Sequence, residues 1–339
     1  MPPRTIYKEV YVPAMGETMD SRAFRSCLNR WMQKKFPDSL TLEAGTYEGF
    51  TAHGATVQVN ANGEIVQSWI KQTANQVDPE EFINSVVTKV EPYVFEPHSP
   101  HWSENMLEIP LFDMHWGIAF MDHYKQTLES ILKIITARNW KTIVIPFGQD
   151  FFHNDSIVNG QTTKGTVIER ADMQRAVKEG QQFMYTLIES AIANADEVKV
   201  LYSPGNHDRS ISWMFMQVLL ARYGSDIVDD TMAFRRVFTY GKNAVMITHG
   251  DSKNATAKNL AHIFPVTFPR EFADATTREV HSGHLHHESD SDIFGVMVRR
   301  LSSGNVTDEW SNKEDFVGAH KRFMLFDWSL EKLSAIYYI

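Results

Sequence analysis

The sequence predicts an α/β fold over residues 101–339, preceded by a small α+β accessory region over residues 1–100. Three observations predict it. From Met106 onward, strand-like and helix-like stretches alternate, the pattern of a layered α/β domain. The strand-like stretches Ile143-Val144-Ile145, Val198-Lys199-Val200-Leu201 and Val245-Met246-Ile247-Thr248 are largely apolar and β-branched, as buried strands are. Each runs directly into a cluster of residues able to bind metal, and strand ends are where open α/β sheets place their sites.

Taken in order, Ser21–Lys35 carries Arg22, Arg25, Arg30, Lys34 and Lys35 with no acid, and Phe24, Leu28 and Met32 at helical spacing. It reads as a short amphipathic helix, either a solvated face or a nucleic-acid contact. Ala55–Gln72 alternates apolar and polar residues around Asn62-Gly63, a dipeptide suited to a tight hairpin. Pro79–Val90 reads as a helix, and Pro92–Pro100, with three prolines, as an extended linker at the domain boundary. Leu107–Phe112 is the first strand of the main domain. Phe120, Tyr124, Leu128, Ile131, Leu132 and Ile135 form one helical stripe after it. Asn159–Gly165 is a polar loop. A long helix from about Arg170 to Ala193 buries Met173, Val177, Met184, Leu187 and Ile188, and Trp213–Tyr223 is helical. Arg236–Thr248 reads as a hairpin turning at Gly241-Lys242-Asn243, and Phe323–Trp328 with Leu333–Tyr338 as a closing one.

Composition narrows the function classes. The one cysteine, Cys27, rules out an internal disulfide and a thiolate metal cluster, so any metal is held by imidazole, carboxylate and amide groups. It also fits a reducing cytoplasm. No apolar run approaches the ~20 residues of a membrane span, and no leader pattern opens the chain, so a soluble, unprocessed protein is expected. A net charge of −9 disfavours a broad basic surface for coating nucleic acid, yet leaves room for an anion site built on bound cations.

The ligand-type residues fall in five runs: Asp113-Met114-His115, Gly148-Gln149-Asp150 with His153, Gly205-Asn206-His207-Asp208, His249-Gly250, and Gly283-His284-Leu285-His286. Carboxylate oxygen and imidazole nitrogen suit hard or borderline divalent cations. A pair of such ions needs one bridging carboxylate, for which Asp150 is the natural choice. Two histidines one residue apart on an extended segment face different ways, so His284 and His286 could each reach a separate ion. Glycine before Asn206 lets the backbone turn, which leaves His207 free as a candidate general acid. Asp208 is expected to orient His207 or to cap the following helix, and His153 to touch substrate or to hydrogen-bond a ligand. Lys164 is expected to contact substrate. His281 and His287 are expected to be structural or solvent-facing.

In this order the five runs resemble the calcineurin-like metallophosphoesterase family, over roughly Leu107 to the C-terminus. The resemblance implies a four-layer α/β/β/α sandwich, two mixed sheets flanked by helices. It implies two divalent ions per chain, Mn²⁺ first, with Fe²⁺, Zn²⁺, Ni²⁺ or Mg²⁺ as alternatives. One ion would be held by Asp113, His115, Asp150 and His286, the other by Asp150, Asn206, His249 and His284. A hydroxide bridging the ions would attack phosphorus in line while His207 protonates the leaving group. Asp150-Phe151-Phe152-His153 resembles the Mre11- and SbcD-like nuclease branch. Thr162–Thr166, Asp308-Glu309-Trp310 and Phe316-Val317-Gly318 resemble phage-encoded members labelled DNA repair exonucleases. A nuclease or phosphodiesterase acting on nucleic acid, DNA first, is therefore expected. A small-molecule phosphatase or cyclic-nucleotide phosphodiesterase is the alternative. The sequence leaves oligomeric state open, a homodimer included. It departs from the family in one respect: Gln149 separates Gly148 from Asp150, which makes Asp155 the fallback bridge.

Overall fold

The structure, a computed structural model, describes residues 23–24, 50–60, 62, 65–74, 79–96, 103–306 and 320–339. Most of the basic segment 21–35, the linker beyond Glu96, Gly63 of the hairpin turn, and the runs at Asp308 and Phe316 lie outside these residues. The chain parts into two compact units, 1–79 and 80–339. In the first, β1 (Phe50–Val59) pairs antiparallel with β2 (Ile65–Ala74).

All but the first residue of α1 (Pro79–Val87) belongs to the second unit, and its proline takes the first helical position, where its missing N–H costs no bond. Residues 91–96 follow without a regular element, and Tyr93 N–H donates to Arg222 O at 2.8 Å. The remaining elements are β3 (Met106–Glu108), α2 (Met121–Thr136), β4 (Trp140–Gly148), α3 (Met173–Asn194), β5 (Ala195–Ser203), α4 (Arg209–Tyr223), β6 (Val228–Asp229), β7 (Arg235–Tyr240), β8 (Asn243–Thr248), α5 (Ala257–Thr267), α6 (Pro269–Asp274), β9 (Thr277–Ser282), β10 (Ser289–Ile293), β11 (Val296–Arg300), β12 (Met324–Trp328) and β13 (Leu333–Tyr338). They build two mixed sheets, ordered β13-β12-β3-β4-β5-β6 and β10-β11-β9-β8-β7. No helix among the described residues is long and apolar enough to cross a membrane.

Side-chain alternation along the strands sorts the core into layers. On β4, Ile143, Ile145 and Phe147 join Val198, Val200 and Tyr202 of β5 in packing against α2, α3 and α4. Val144 faces the other way, into a cluster with Val245, Ile247, Phe326 and Trp328 between the sheets. Ala244 and Met246 of β8 meet Leu260, Ala261 and Phe264 of α5 on the far side. The order is helix, sheet, sheet, helix.

Two local differences from the sequence reading have physical causes. Only Met106–Glu108 pairs as β3, because Pro110 supplies no N–H to extend the ladder. On β4, Ile109 N–H bonds Val144 O, so Pro146 also faces the β3 side, where pairing has ended and its missing donor is tolerated. Helix α4 begins at Arg209 rather than Trp213, because its first N–H groups are capped from a distant loop: Ser210 and Ile211 donate to Asp155 Oδ1 at 2.6 and 3.1 Å. That occupation also removes Asp155 as a bridging ligand.

Between the sheets sits one buried ionic cluster. His281 of β9 lies 2.8 Å from Glu108 Oε1 of β3 and 3.1 Å from Glu279 Oε2, and Arg299 Nε donates to Glu279 at 2.6 Å. Trp328 Nε1 donates to Glu108 Oε2 at 3.1 Å. Burial alone would lower the His281 pKa, but the two glutamates outweigh it and raise the pKa to about 9. The folded value exceeds the unfolded one near 6.5, so this contribution to stability is complete below pH ~6.5 and is lost as pH rises through about 9. Thermal melts from pH 6 to pH 10 should show Tm falling across that window, and His281→Gln should flatten the fall. An unchanged pH profile in the variant would contradict the assignment.

Candidate metal centre

Beyond the paired strand ends, two segments continue side by side in an irregular ladder. Asp113 N–H donates to Gln149 O at 2.9 Å, His115 to Asp150 O at 3.0 Å and Trp116 to Phe151 O at 2.8 Å. Asp113, His115, Gln149 and Asp150 all have positive φ, between 50° and 60°. His284 and His286 do too, at 73° and 54°. Each such non-glycine residue costs of order 1 kcal/mol, and persists because surrounding bonds over-determine it. Of the seven non-glycine residues with positive φ among the described residues, six belong to this site, which marks it as a place where the chain accepts strain.

These conformations also answer the Gln149 question. Consecutive left-handed residues at Gln149 and Asp150 absorb the extra residue and turn Asp150 inward, where it is 1% exposed. Gln149 then does a job that the sequence did not reveal. Its Nε2 donates to Ser203 Oγ at 2.6 Å, and its Oε1 lies 3.2 Å from His249 Nδ1, fixing that imidazole. The only signal was the insertion itself.

Each of the two aspartates is seated against a glycine. A Cβ on Gly205 would collide with Asp150 Oδ1, and one on Gly283 with Asp113 Oδ2. A backbone donor just beyond each glycine holds the carboxylate: His207 N–H, two residues after Gly205, donates to Asp150 Oδ1 at 2.7 Å, and His284 N–H, directly after Gly283, to Asp113 Oδ2 at 2.8 Å. Gly205 is thus required for close approach rather than for a turn, since its φ is not positive. Likewise His284 and His286 diverge because both sit in a left-handed loop, not on the alternate pleats that the sequence suggested.

Two groups of ligand-type atoms result: Asp113 with His115 and His286, and Asp150 with His249 and His284. In the first, His115 Nε2 and His286 Nε2 lie 3.2 Å apart, and His286 Nε2 is 3.6 Å from Asp113 Oδ1. In the second, His249 Nε2 is 3.0 Å from Asp150 Oδ2 and 2.8 Å from Asn206 Oδ1. Asp113 Oδ1 is fully buried and accepts no hydrogen bond among the described residues. A buried carboxylate oxygen left that way is costly, and a cation is its natural partner. The donor set, oxygen and imidazole nitrogen only, fits divalent metal ions.

The electrostatics separate the groups. Burial, helped by Asp150, pushes the Asp113 pKa up to about 7. Burial pushes Asp150 the same way, but His249 and His207 override it and hold this carboxyl well below its usual range. Burial opposes protonation of His249, yet Asp150 and Asp113 raise its pKa to about 9. Burial, followed by neighbouring histidines, lowers His115 well below its ordinary value and brings His284 to about 4. Those two imidazoles are neutral at pH 7, the state in which they can ligate.

A pocket of about 550 Å³ opens over the second group, lined by His153, Asn206, His207, Lys164 and Val167 among others. A second cleft of similar size, about 530 Å³, lies around Lys199 and Arg236 and contains neither ligand group. His207 Nδ1 lies 2.9 Å from His153 O, so it donates there and leaves Nε2 for substrate. His153 Nδ1 lies 3.5 Å from His115 Nδ1, and His115, His153 and His207 form a further close imidazole group. Asp208 fills neither of its expected roles. Its side chain does not cap α4, and its Oδ2 accepts Phe152 N–H at 2.9 Å, pinning the backbone between Asp150 and His153.

No protein-family model and no curated protein matches the chain. Among solved structures it is similar to Vps29 complexed with Zn²⁺ from Entamoeba histolytica, at 15% identity over 69% of this chain and 97% of that one, with a TM-score of 0.35. It is similar also to an archaeal phosphodiesterase, at 9% identity over 69% and 99% of the two chains, TM-score 0.36. A Streptococcus pneumoniae protein titled a predicted phosphoesterase aligns at 10% identity over 70% and 99%, TM-score 0.30. With likeness this low, function has to be read from the residues.

Gly205→Ala should displace the Asp150 carboxylate and weaken metal binding. At a metal concentration of about 100 Kd the native chain gains roughly 2.7 kcal/mol, visible as a rise in Tm on Mn²⁺ titration. The variant should fold without metal but need at least about tenfold more Mn²⁺ for the same rise, a loss of ~1.4 kcal/mol. An identical titration would show that the glycine seat does not matter.

Proposed function

We propose that the protein is a divalent-metal-dependent phosphoesterase, and within that class a phosphodiesterase acting on nucleic acid, with DNA the first substrate to try. One observation carries the reading: Asp113, His115, Asp150, Asn206, His249, His284 and His286, from five separate runs of the chain, converge beside a pocket that also presents His207. Asp113, His115 and His286 would hold one ion and Asn206, His249 and His284 a second, with Asp150 shared. Bound there, such ions would lower the pKa of a water and offset charge on a phosphoryl group.

The chain's own residues supply the remainder. His207 is steered by its bond to His153 O, so that Nε2 is the nitrogen able to pass a proton to a leaving oxygen. Asp208, through Phe152 N–H, keeps the segment carrying both Asp150 and His153 in place. A second reading, a phosphatase or phosphodiesterase for free or cyclic nucleotides, is favoured by a pocket of about 550 Å³, a size that suits a small ligand.

With Mn²⁺, purified protein should hydrolyse bis-p-nitrophenyl phosphate and cut labelled DNA. His207→Asn should lower kcat by roughly 10²–10⁴-fold, the usual span for a lost general acid, with metal binding retained. Asp150→Asn should abolish both. Metal-loaded protein that hydrolyses neither substrate would overturn the reading, and cleavage of free nucleotides with no cleavage of DNA would select the second one.

A further inference from the structure

The pocket is lined by Asp150, Asn206, His284 and His286 and also by Thr162, Lys164, Thr166, Val167 and Ile168 of the 160–168 segment, which the metal reading leaves unused. This segment is a small hairpin. Ile168 N–H donates to Gly160 O at 3.0 Å, Thr162 N–H to Thr166 O at 2.9 Å and Gly165 N–H to Thr162 O at 2.9 Å. Gly165, with φ of 79°, makes the tip. The tip is tied directly to the centre. Thr163 N–H donates to Asn206 O at 3.2 Å, and Thr163 Oγ1 accepts Arg209 N–H at 3.1 Å. Lys164 is the next residue, so its backbone is fixed relative to Asn206.

Chemistry divides the lining accordingly. Lys164 is its only lysine or arginine, is exposed, and makes no ion pair among the described residues. The acids of the lining outside the ligand groups, Glu169 and Asp251, cannot receive an anion. Val167 is 86% exposed although it lines the pocket, and offers apolar surface in the same pocket as Lys164. A scissile phosphate belongs to the metal groups. A cation that is not a metal ligand, in a pocket that also offers an apolar side chain, suits a second phosphate joined to the first through a ring-bearing unit.

We propose that the 160–168 hairpin is a substrate-reading wall on which Lys164 binds a second, non-scissile phosphate of a nucleotide-type ligand while Val167 covers its sugar or base. This rests on the phosphoesterase reading of the neighbouring site, and a binding measurement separates the two. The probes are hydrolysis-resistant phosphorothioates: dithymidylate with a terminal phosphate, which carries two phosphates, and p-nitrophenyl thymidylate, which carries one. Lys164→Ala should weaken binding of the first about tenfold and of the second less than twofold, and Lys164→Arg should restore most of the loss. Competition against the two-phosphate probe separates the sources, since oligothymidylate competes best if a strand is read and thymidine diphosphate if a small nucleotide is. Equal effects of Lys164→Ala on both probes, or none on either, would overturn the proposal. Lys164-dependent binding in a metal-loaded protein without turnover would uphold the wall and sink the phosphoesterase reading alone.

Discussion

The site depends on two carboxylates pressed against glycines. Asp150 against Gly205 and Asp113 against Gly283 are each held by one oxygen on a backbone N–H, from His207 and His284. The other oxygen is then aimed inward: Oδ2 of Asp150 faces His249, and Oδ1 of Asp113 is buried without a hydrogen bond among the described residues. Any side chain at either glycine would push a carboxylate off its bond. The arrangement orients both carboxylates with main-chain donors, which have no rotamers to lose, so their positions are set by the backbone.

The layered fold is what brings those segments together. Asp113 and Asp150 follow adjacent parallel strands β3 and β4 of one sheet, and Asn206 follows β5 beside them. His249 and His284 follow β8 and β9, parallel neighbours in the other sheet. The two sheets are locked by His281 between Glu108 and Glu279, an ionic contact that spans the interlayer core three residues before His284. Strain in the left-handed residues is borne by this frame: the ladder bonds from Asp113, His115 and Trp116 to the 149–151 segment leave the backbone no cheaper path.

The chain reveals much of this because metal chemistry uses few residue types. Ligand-type runs placed after apolar strands could be read directly, and so could the layered α/β pattern, since β-branched runs and three-four spacing are local signals. What stayed hidden depends on contacts between distant residues. Helix α4 starts early because Asp155, in another loop, caps it. Helices α5 and α6 went unread because Pro265 sits inside one and Pro269 opens the other, so both lack the usual helical signature. Gln149 looked like a defect in a motif and proved to hold His249, while Asp208, read as a partner of its neighbour His207, bonds Phe152 instead. The role of Gly205 was misjudged for a similar reason: close approach to Asp150 cannot be seen in a sequence, whereas a tight turn is the usual inference from glycine.

The most direct test is crystallographic. Crystals soaked in Mn²⁺ and measured at the manganese absorption edge should show two anomalous peaks, one among Asp113, His115 and His286 and one among Asn206, His249 and His284, with the Asp150 carboxylate between them. A structure with no peak there, or with a single ion held by His115, His153 and His207 while Asp150 stays bonded to His249 alone, would contradict the account.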